Sequence, residues 1–173
     1  SFRTGSPELK KWLDQNPAFD FRTGKKFSTK LRPLLKLNPE QTRLFDEAWS
    51  NIPNRPAGNL LLLAPTAVGK TILQAYLAYK LGYKILVIFP TALVKRAWMN
   101  DLHKLFGLSP KEDIGLIQRE TWRIGEHFTL ASMATLQNRR DRWDELFREF
   151  GTLILDEVQG ISAPNLYSFV SRF

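Results

Sequence analysis

Between Asn59 and Thr71 the chain reads NLLLLAPTAVGKT, a fully apolar run that drives into a small-residue loop whose one strong charge is a lysine. Leu60 to Leu63 show no alternation, so both faces of a strand built from them must be covered. That is the pattern of an inner strand in a parallel sheet with helices on both sides. The loop Ala64-Pro65-Thr66-Ala67-Val68-Gly69-Lys70-Thr71 follows, and then the helical run ILQAYLAYKLG, stopped by Gly82. Strand, tight loop and helix N-terminus together make an anion site: backbone N–H groups turn inward, the helix dipole adds partial positive charge, and Lys70 adds a full one.

The spacing matches the P-loop, in which the lysine reaches the β- and γ-phosphates and the Ser/Thr hydroxyl holds Mg²⁺. Residues 64–71 are therefore the candidate nucleotide site, with Thr71 as a candidate Mg²⁺ ligand. Ala64 stands where the general motif has its first glycine. An ordinary strand–turn–helix with a chance Gly-Lys-Thr is the competing reading, and only a second site element decides between them.

That second element lies near the end of the chain. Thr152-Leu153-Ile154-Leu155 is a hydrophobic strand running into Asp156-Glu157. In open α/β sheets ligands collect beyond the carboxyl ends of the strands, where both this acid pair and the 64–71 loop belong. Asp156 suits Mg²⁺ bridging the β- and γ-phosphates, and Glu157 suits the orientation and deprotonation of an attacking water.

Composition narrows the remaining classes. The 173 residues suit a single domain with a sizeable core. No window holds the roughly 18 consecutive apolar residues of a membrane span, and the opening SFRTGSPELKKW is no signal peptide. The absence of cysteine removes disulfide and thiolate–zinc readings and fits an intracellular protein. With His103 and His127 as its two histidines, the chain also lacks the makings of an imidazole metal cluster. A net charge of +8 and a pI near 9.9 point to a polyanionic partner.

From residue 59 onward, strands and helices alternate, which specifies an α/β fold with a mostly parallel sheet. KILVIFP (84–90), IGLIQ (114–118), HFTLAS (127–132) and TLILDE (152–157) read as strands. Helices are expected from Thr91 to about Phe106, from Arg139 to Phe150 with Trp143, Leu146, Phe147 and Phe150 inward, and from about Ala163-Pro164. Upstream, Ser6-Pro7 begins a short helix, and residues 16–36 form an extended arm or small hairpin with six Lys or Arg against one acid from Asp20 to Lys36. A further helix starts at Asn38-Pro39-Glu40-Gln41, with Leu44, Phe45, Ala48 and Trp49 as its buried face.

The motifs APTAVGKT, FPTALVKRAW, LASMATL and LILDEVQ, in that order, resemble motifs I, Ia, Ib and II of superfamily 2 helicases and translocases. The resemblance covers roughly residues 37–173 and implies a RecA-like P-loop fold that uses ATP and Mg²⁺. It implies Lys70 and Glu157 as catalytic residues, with Gln159 coupling hydrolysis to motifs beyond. Relatives commonly carry Asp or His at that last position. LNPEQ (37–41) is similar to the upstream glutamine element, which implies a contact from Gln41 to adenine. Asn38 and Gln41 also fit a helix capping-box pair. Motifs Ia and Ib imply phosphate-backbone contacts from Thr91, Ser132 and Thr135, at helix N-termini blind to base sequence. Ala97 stands where relatives often have glutamine, and Trp98 and Leu102 fit the core.

The tryptophan-bearing Ia pattern favours DNA over RNA as the nucleic-acid partner. Residues 1–36 are then a basic N-terminal arm or accessory segment, and residues 37–173 an incomplete first RecA-like ATP-binding domain. The element expected after motif II, the second RecA-like domain and its arginine finger are absent from this stretch, so the stretch alone is expected to be nearly idle as a motor. Another P-loop NTPase or kinase, an RNA helicase, and a non-enzymatic nucleic-acid-binding module are the alternatives.

Overall fold

The strand Ile85–Phe89 (β1) is buried on both faces, and its alternating side chains divide the core in two. Ile85, Val87 and Phe89 point to one side, and Leu86 and Ile88 to the other. Each fully buried aliphatic side chain of this kind stabilises the fold by about 1.5–3 kcal/mol. The structure is a computed structural model that describes residues 24–51, 69–157, 163–171 and 173. The expected helix near Ser6-Pro7, the strand Leu60–Leu63, the loop residues Ala64 to Val68, and Gln159 lie outside the described residues.

Among the described residues a five-stranded sheet runs around β1 in the order β3-β2-β4-β1-β5, formed by Gly115–Gln118 (β2), Thr121–Arg123 (β3), Phe128–Ser132 (β4) and Thr152–Leu155 (β5). β1 pairs in parallel with β4 and β5, and β2 pairs in parallel with β4. Among the described strands only β3 is antiparallel, paired with β2. Helices Lys70–Leu81 (α2) and Ala92–Phe106 (α3) cover one face through Ala75, Ala78, Trp98, Leu102 and Leu105. Met133–Asn138 (α4), Trp143–Glu149 (α5) and Ala163–Val170 (α6) cover the other with Met133, Leu136, Trp143, Leu146 and Phe169. Pro39–Asn51 (α1) packs on the outside of α2, Ala48 meeting Leu73 and Leu77. No helix among the described residues is long and apolar enough to cross a membrane.

Two departures from the expected elements have local causes. The expected helix from Arg139 to Phe150 is broken into a 3₁₀ turn at Arg140–Arg142 followed by α5. Arg139 closes α4 with non-helical φ −124° and ψ 46°, and the buried Trp143 Nε1 donates back to Leu136 O at 2.7 Å. The inward residues Trp143, Leu146 and Phe150 nonetheless stand as expected, fully or almost fully buried. The second departure is β3 itself, a three-residue edge strand reached through a turn in which Arg119 has φ 53°.

Residues 24–34 form a strap across the amino ends of the central strands. Lys25 N–H donates to Glu149 O, Lys84 N–H to Lys25 O, and Phe27 N–H to Gly82 O. A Cβ on Gly24, which has φ 112°, would strike the Gly151 backbone, so the strap closes on the sheet with glycine against glycine. Leu31 joins the core, and Leu34 N–H reaches Leu105 O at the far end of α3.

Charges seal this edge. Lys84 Nζ lies 2.8 Å from Glu149 Oε1 and 3.5 Å from Glu126 Oε2, and Lys25 Nζ lies 2.6 Å from Glu149 Oε2. Burial pushes the Glu126 carboxyl up, but hydrogen bonds from the Ser28 hydroxyl and backbone, the charge of Lys84 and the Thr29 N–H outweigh it and bring it down to about 2. Glu149 is likewise held below the usual range: burial opposes, and Lys25 and Lys84 prevail. Lys84 is raised, burial opposing and both carboxylates prevailing.

Candidate nucleotide and nucleic-acid site

The parallel strands end together. Phe89 stands opposite Ser132 and Ile88 opposite Leu155, so Thr91, Ser132, Asp156 and Glu157 line one edge of the sheet. α2 runs from Lys70 to Leu81, is capped by left-handed Gly82, and feeds β1 at Ile85. Its C-terminus therefore sits at the amino edge, beside the strap. Twelve residues at about 1.5 Å each return its N-terminus to the carboxyl edge. Gly69, Lys70 and Thr71 thus begin a helix aimed at the same edge as the acid pair.

Gly69 has φ 76° and ψ 55°, the left-handed region that glycine enters without steric cost. A Cβ there would come within 2.9 Å of Gln41 Nε2. Gln41 is buried and forms a reciprocal cap with Asn38: Asn38 N–H donates to Gln41 Oε1 at 3.0 Å, and Gln41 N–H to Asn38 Oδ1 at 2.8 Å. The capping pair expected at this position is therefore formed, and it holds the glutamine amide against the glycine that opens α2.

Asp156 follows β5, and its N–H donates to Ile88 O at 3.4 Å. Its carboxylate Oδ2 accepts a hydrogen bond from Trp98 Nε1 at 2.8 Å. The next residue, Glu157, is exposed and has φ 54°. A left-handed non-glycine residue costs on the order of 1–3 kcal/mol and persists where the surroundings impose it, which is common at functional sites.

The three expected nucleic-acid residues fare differently. Thr91 is exposed and caps α3, its hydroxyl accepting from Val94 N–H at 3.4 Å. Ser132 is the N-cap of α4, with no hydrogen bond from its side chain to that helix. Thr135 is turned inward, 7% exposed, and its hydroxyl accepts the Arg119 N–H at 2.8 Å. It braces the β2–β3 turn, which carries the exposed Arg119 to the carboxyl edge beside β4. Lys95, one turn into α3, bonds Gln118 Oε1 at 2.7 Å and ties that helix to the end of β2. Sequence reasoning missed Arg119 and Gln118, because only the parallel pairing of β2 with β4 brings them beside Ser132.

Comparison with known proteins agrees with this architecture. Residues 34–170 match the family described as type III restriction enzyme, res subunit. A probable helicase, D10, of Escherichia phage T5 is 32% identical over 102 residues, covering 59% of this chain and 21% of that protein. The crystal structure of the UvsW helicase from Bacteriophage T4 superimposes with a TM-score of 0.59 at 20% identity, over 98% of this chain and 56% of that one. The chain thus spans about a fifth of the one relative and just over half of the other. It belongs to the family of the type III restriction enzyme res subunit, and it carries the RecA-like domain of a superfamily 2 helicase.

Proposed function

We propose that this domain binds Mg²⁺-ATP at the carboxyl edge of its sheet and, together with a second RecA-like domain, couples hydrolysis to movement on or unwinding of DNA. One observation carries the reading: the helix that begins Gly69-Lys70-Thr71 and the strand that ends Asp156-Glu157 open onto the same edge. The phosphates are held by residues 64–71, with Lys70 supplying the full positive charge and the α2 N-terminus the partial one.

The donor set suits the hard cation. Among the described residues no cluster of three His, Cys, Asp or Glu forms a protein-only cage. A hydroxyl and a carboxylate, Thr71 and Asp156, match the way Mg²⁺ is bound through one or two protein oxygens plus substrate phosphates. When bound, the ion neutralises charge developing on the transferred phosphoryl group. Glu157 accepts the proton of the attacking water, Gln41 contacts adenine beside Gly69, and Gln159 links hydrolysis to the rest of the motor. Full turnover requires an arginine finger from the second domain, a contribution on the order of 10³–10⁵ in rate.

Thr91, Ser132 and Thr135 mark the nucleic-acid face, with Thr135 acting through the Arg119 turn. The family takes its name from a restriction enzyme, and the T5 relative is a probable phage helicase, which favours DNA. A protein that consumes ATP on DNA works inside the cell. The deciding experiment is Lys70→Ala, which should abolish most ATP or ADP affinity in calorimetry while leaving circular dichroism unchanged. Unchanged affinity in a folded variant would overturn the assignment.

A further inference from the structure

Two buried tryptophans, Trp98 and Trp143, satisfy their indole N–H groups in unlike ways, whereas the Trp122 Nε1 is buried without a hydrogen-bond partner among the described residues. A buried indole N–H usually finds an acceptor, and a backbone carbonyl is the ordinary choice. Trp143, 2% exposed, makes that choice with Leu136 O. Trp98, fully buried against α2 and the sheet, instead donates to the carboxylate of Asp156, at 2.8 Å. This bond is charge-assisted and crosses from the middle of α3 to the end of β5. It is also a side-chain contact that ties the core to the acid pair.

We propose that Trp98 is a positioning residue for the cation site: its indole N–H fixes Asp156 through Oδ2 and leaves Oδ1 for Mg²⁺ or its water shell. The inference rests on the nucleotide reading above and adds a residue to it. The same bond joins the two halves of the site. Trp98 lies seven residues after Thr91, hence on nearly the same face of α3 and about 10 Å along its axis. Lys95, between them, anchors that helix to Gln118. A displacement of the Thr91 end of α3 by a bound phosphate backbone is therefore delivered, through one rigid indole, to the carboxylate that would face the cation. Packing alone does not call for this arrangement, since a phenylalanine would fill most of the volume and present no N–H.

The test compares Trp98→Phe with Trp143→Phe. The second variant removes the same indole N–H from an equally buried site on the opposite face of the sheet. The readout is the affinity of a fluorescent ADP across a Mg²⁺ titration, and its ratio with and without the ion. Trp98→Phe should keep the Mg²⁺-free affinity and require roughly 10-fold more Mg²⁺, the lower end of the 10–100-fold usual for removing a group that orients a metal ligand. Trp143→Phe should keep the wild-type ratio. An unchanged ratio in Trp98→Phe, or equal changes in both variants, would overturn the proposal.

A second measurement leaves the core intact. In a ¹⁵N spectrum the indole N–H signal of Trp98 should move in Asp156→Ala, with the Trp143 signal fixed. A Trp98 signal that ignores Asp156 would overturn the proposal whether or not Trp98→Phe folds. Absence of any nucleotide binding by the wild-type chain, with the Trp98 signal still dependent on Asp156, would instead overturn the nucleotide reading.

Discussion

Glu157 combines two properties rarely found in one residue: a carboxylate at the end of a parallel strand and a left-handed backbone, φ 54°. In a protein that includes the second RecA-like domain, Glu157→Gln should bind ATP normally and hydrolyse it about 10²–10⁴-fold more slowly, the usual contribution of a general base. Turnover at the wild-type rate would remove it from that role. The backbone supplies an independent check. Glycine relieves left-handed strain and alanine does not, so Glu157→Gly should melt roughly 2–4 °C above Glu157→Ala, equivalent to about 1 kcal/mol. At this scale the sequence is legible where pattern fixes an element: Lys70 and Thr71 open a helix and Asp156 follows a strand, as expected. It is silent on which way a hydroxyl turns. Thr135 has the same side chain as Thr91 and the same expected role, yet one braces a turn and the other caps a helix facing solvent.

Elements with strong periodicity came out as their patterns required: α2 stops at Gly82, α3 runs from its Thr91 cap to Gly107, and β1 is buried throughout. The strap did not. Pro, Gly and spaced aromatics around residues 16–36 indicate extended chain, but nothing local says that Ser28 will bind Glu126 or Lys25 will bind Glu149. Such pairings are set by the packed sheet. They also make the strap acid-sensitive. Glu126 and Glu149 have folded values below the ordinary 4.5, so their contribution to stability is complete above about pH 4.5 and is lost as pH falls toward 2, where Glu126 protonates in the folded state. Lys84, raised from 10.5, contributes fully below that value and loses its share as pH climbs beyond it. Melting curves should therefore show Glu126→Gln less stable than wild type at pH 7, with the gap closing between pH 4.5 and 2. A gap that stays constant over that interval would separate the ion network from the strap's stability.

The molecule has two unlike edges. Nucleotide and nucleic-acid candidates share the carboxyl edge, while the strap and its paired charges close the amino edge. The count of 25 Lys and Arg therefore overstates what is offered to a polyanion, since Lys25 and Lys84 are already matched by Glu149 and Glu126. Binding of a labelled oligonucleotide should tighten as salt falls, with each neutralised phosphate contributing roughly −0.7 to −0.9 to the slope of log K against log salt. Arg119→Ala should flatten that slope by about one such increment, and Lys25→Ala should leave it unchanged. Equal effects from both would mean that the charge acts without regard to edge. Removing residues 1–36 wholesale is a poor version of this experiment, because it uncovers core packed under Leu31.

The strap also sets a schedule for the newborn chain. Ser28 meets Glu126, 98 positions further along the chain, and Lys25 waits longer still for Glu149. On the ribosome those partners emerge much later, so at roughly 5–20 residues per second the early segment trails unattached for on the order of ten seconds. Its docking then reports that the final strand of the described sheet has arrived. A nascent domain stalled before that strand should expose the strap to protease, and one released after it should not.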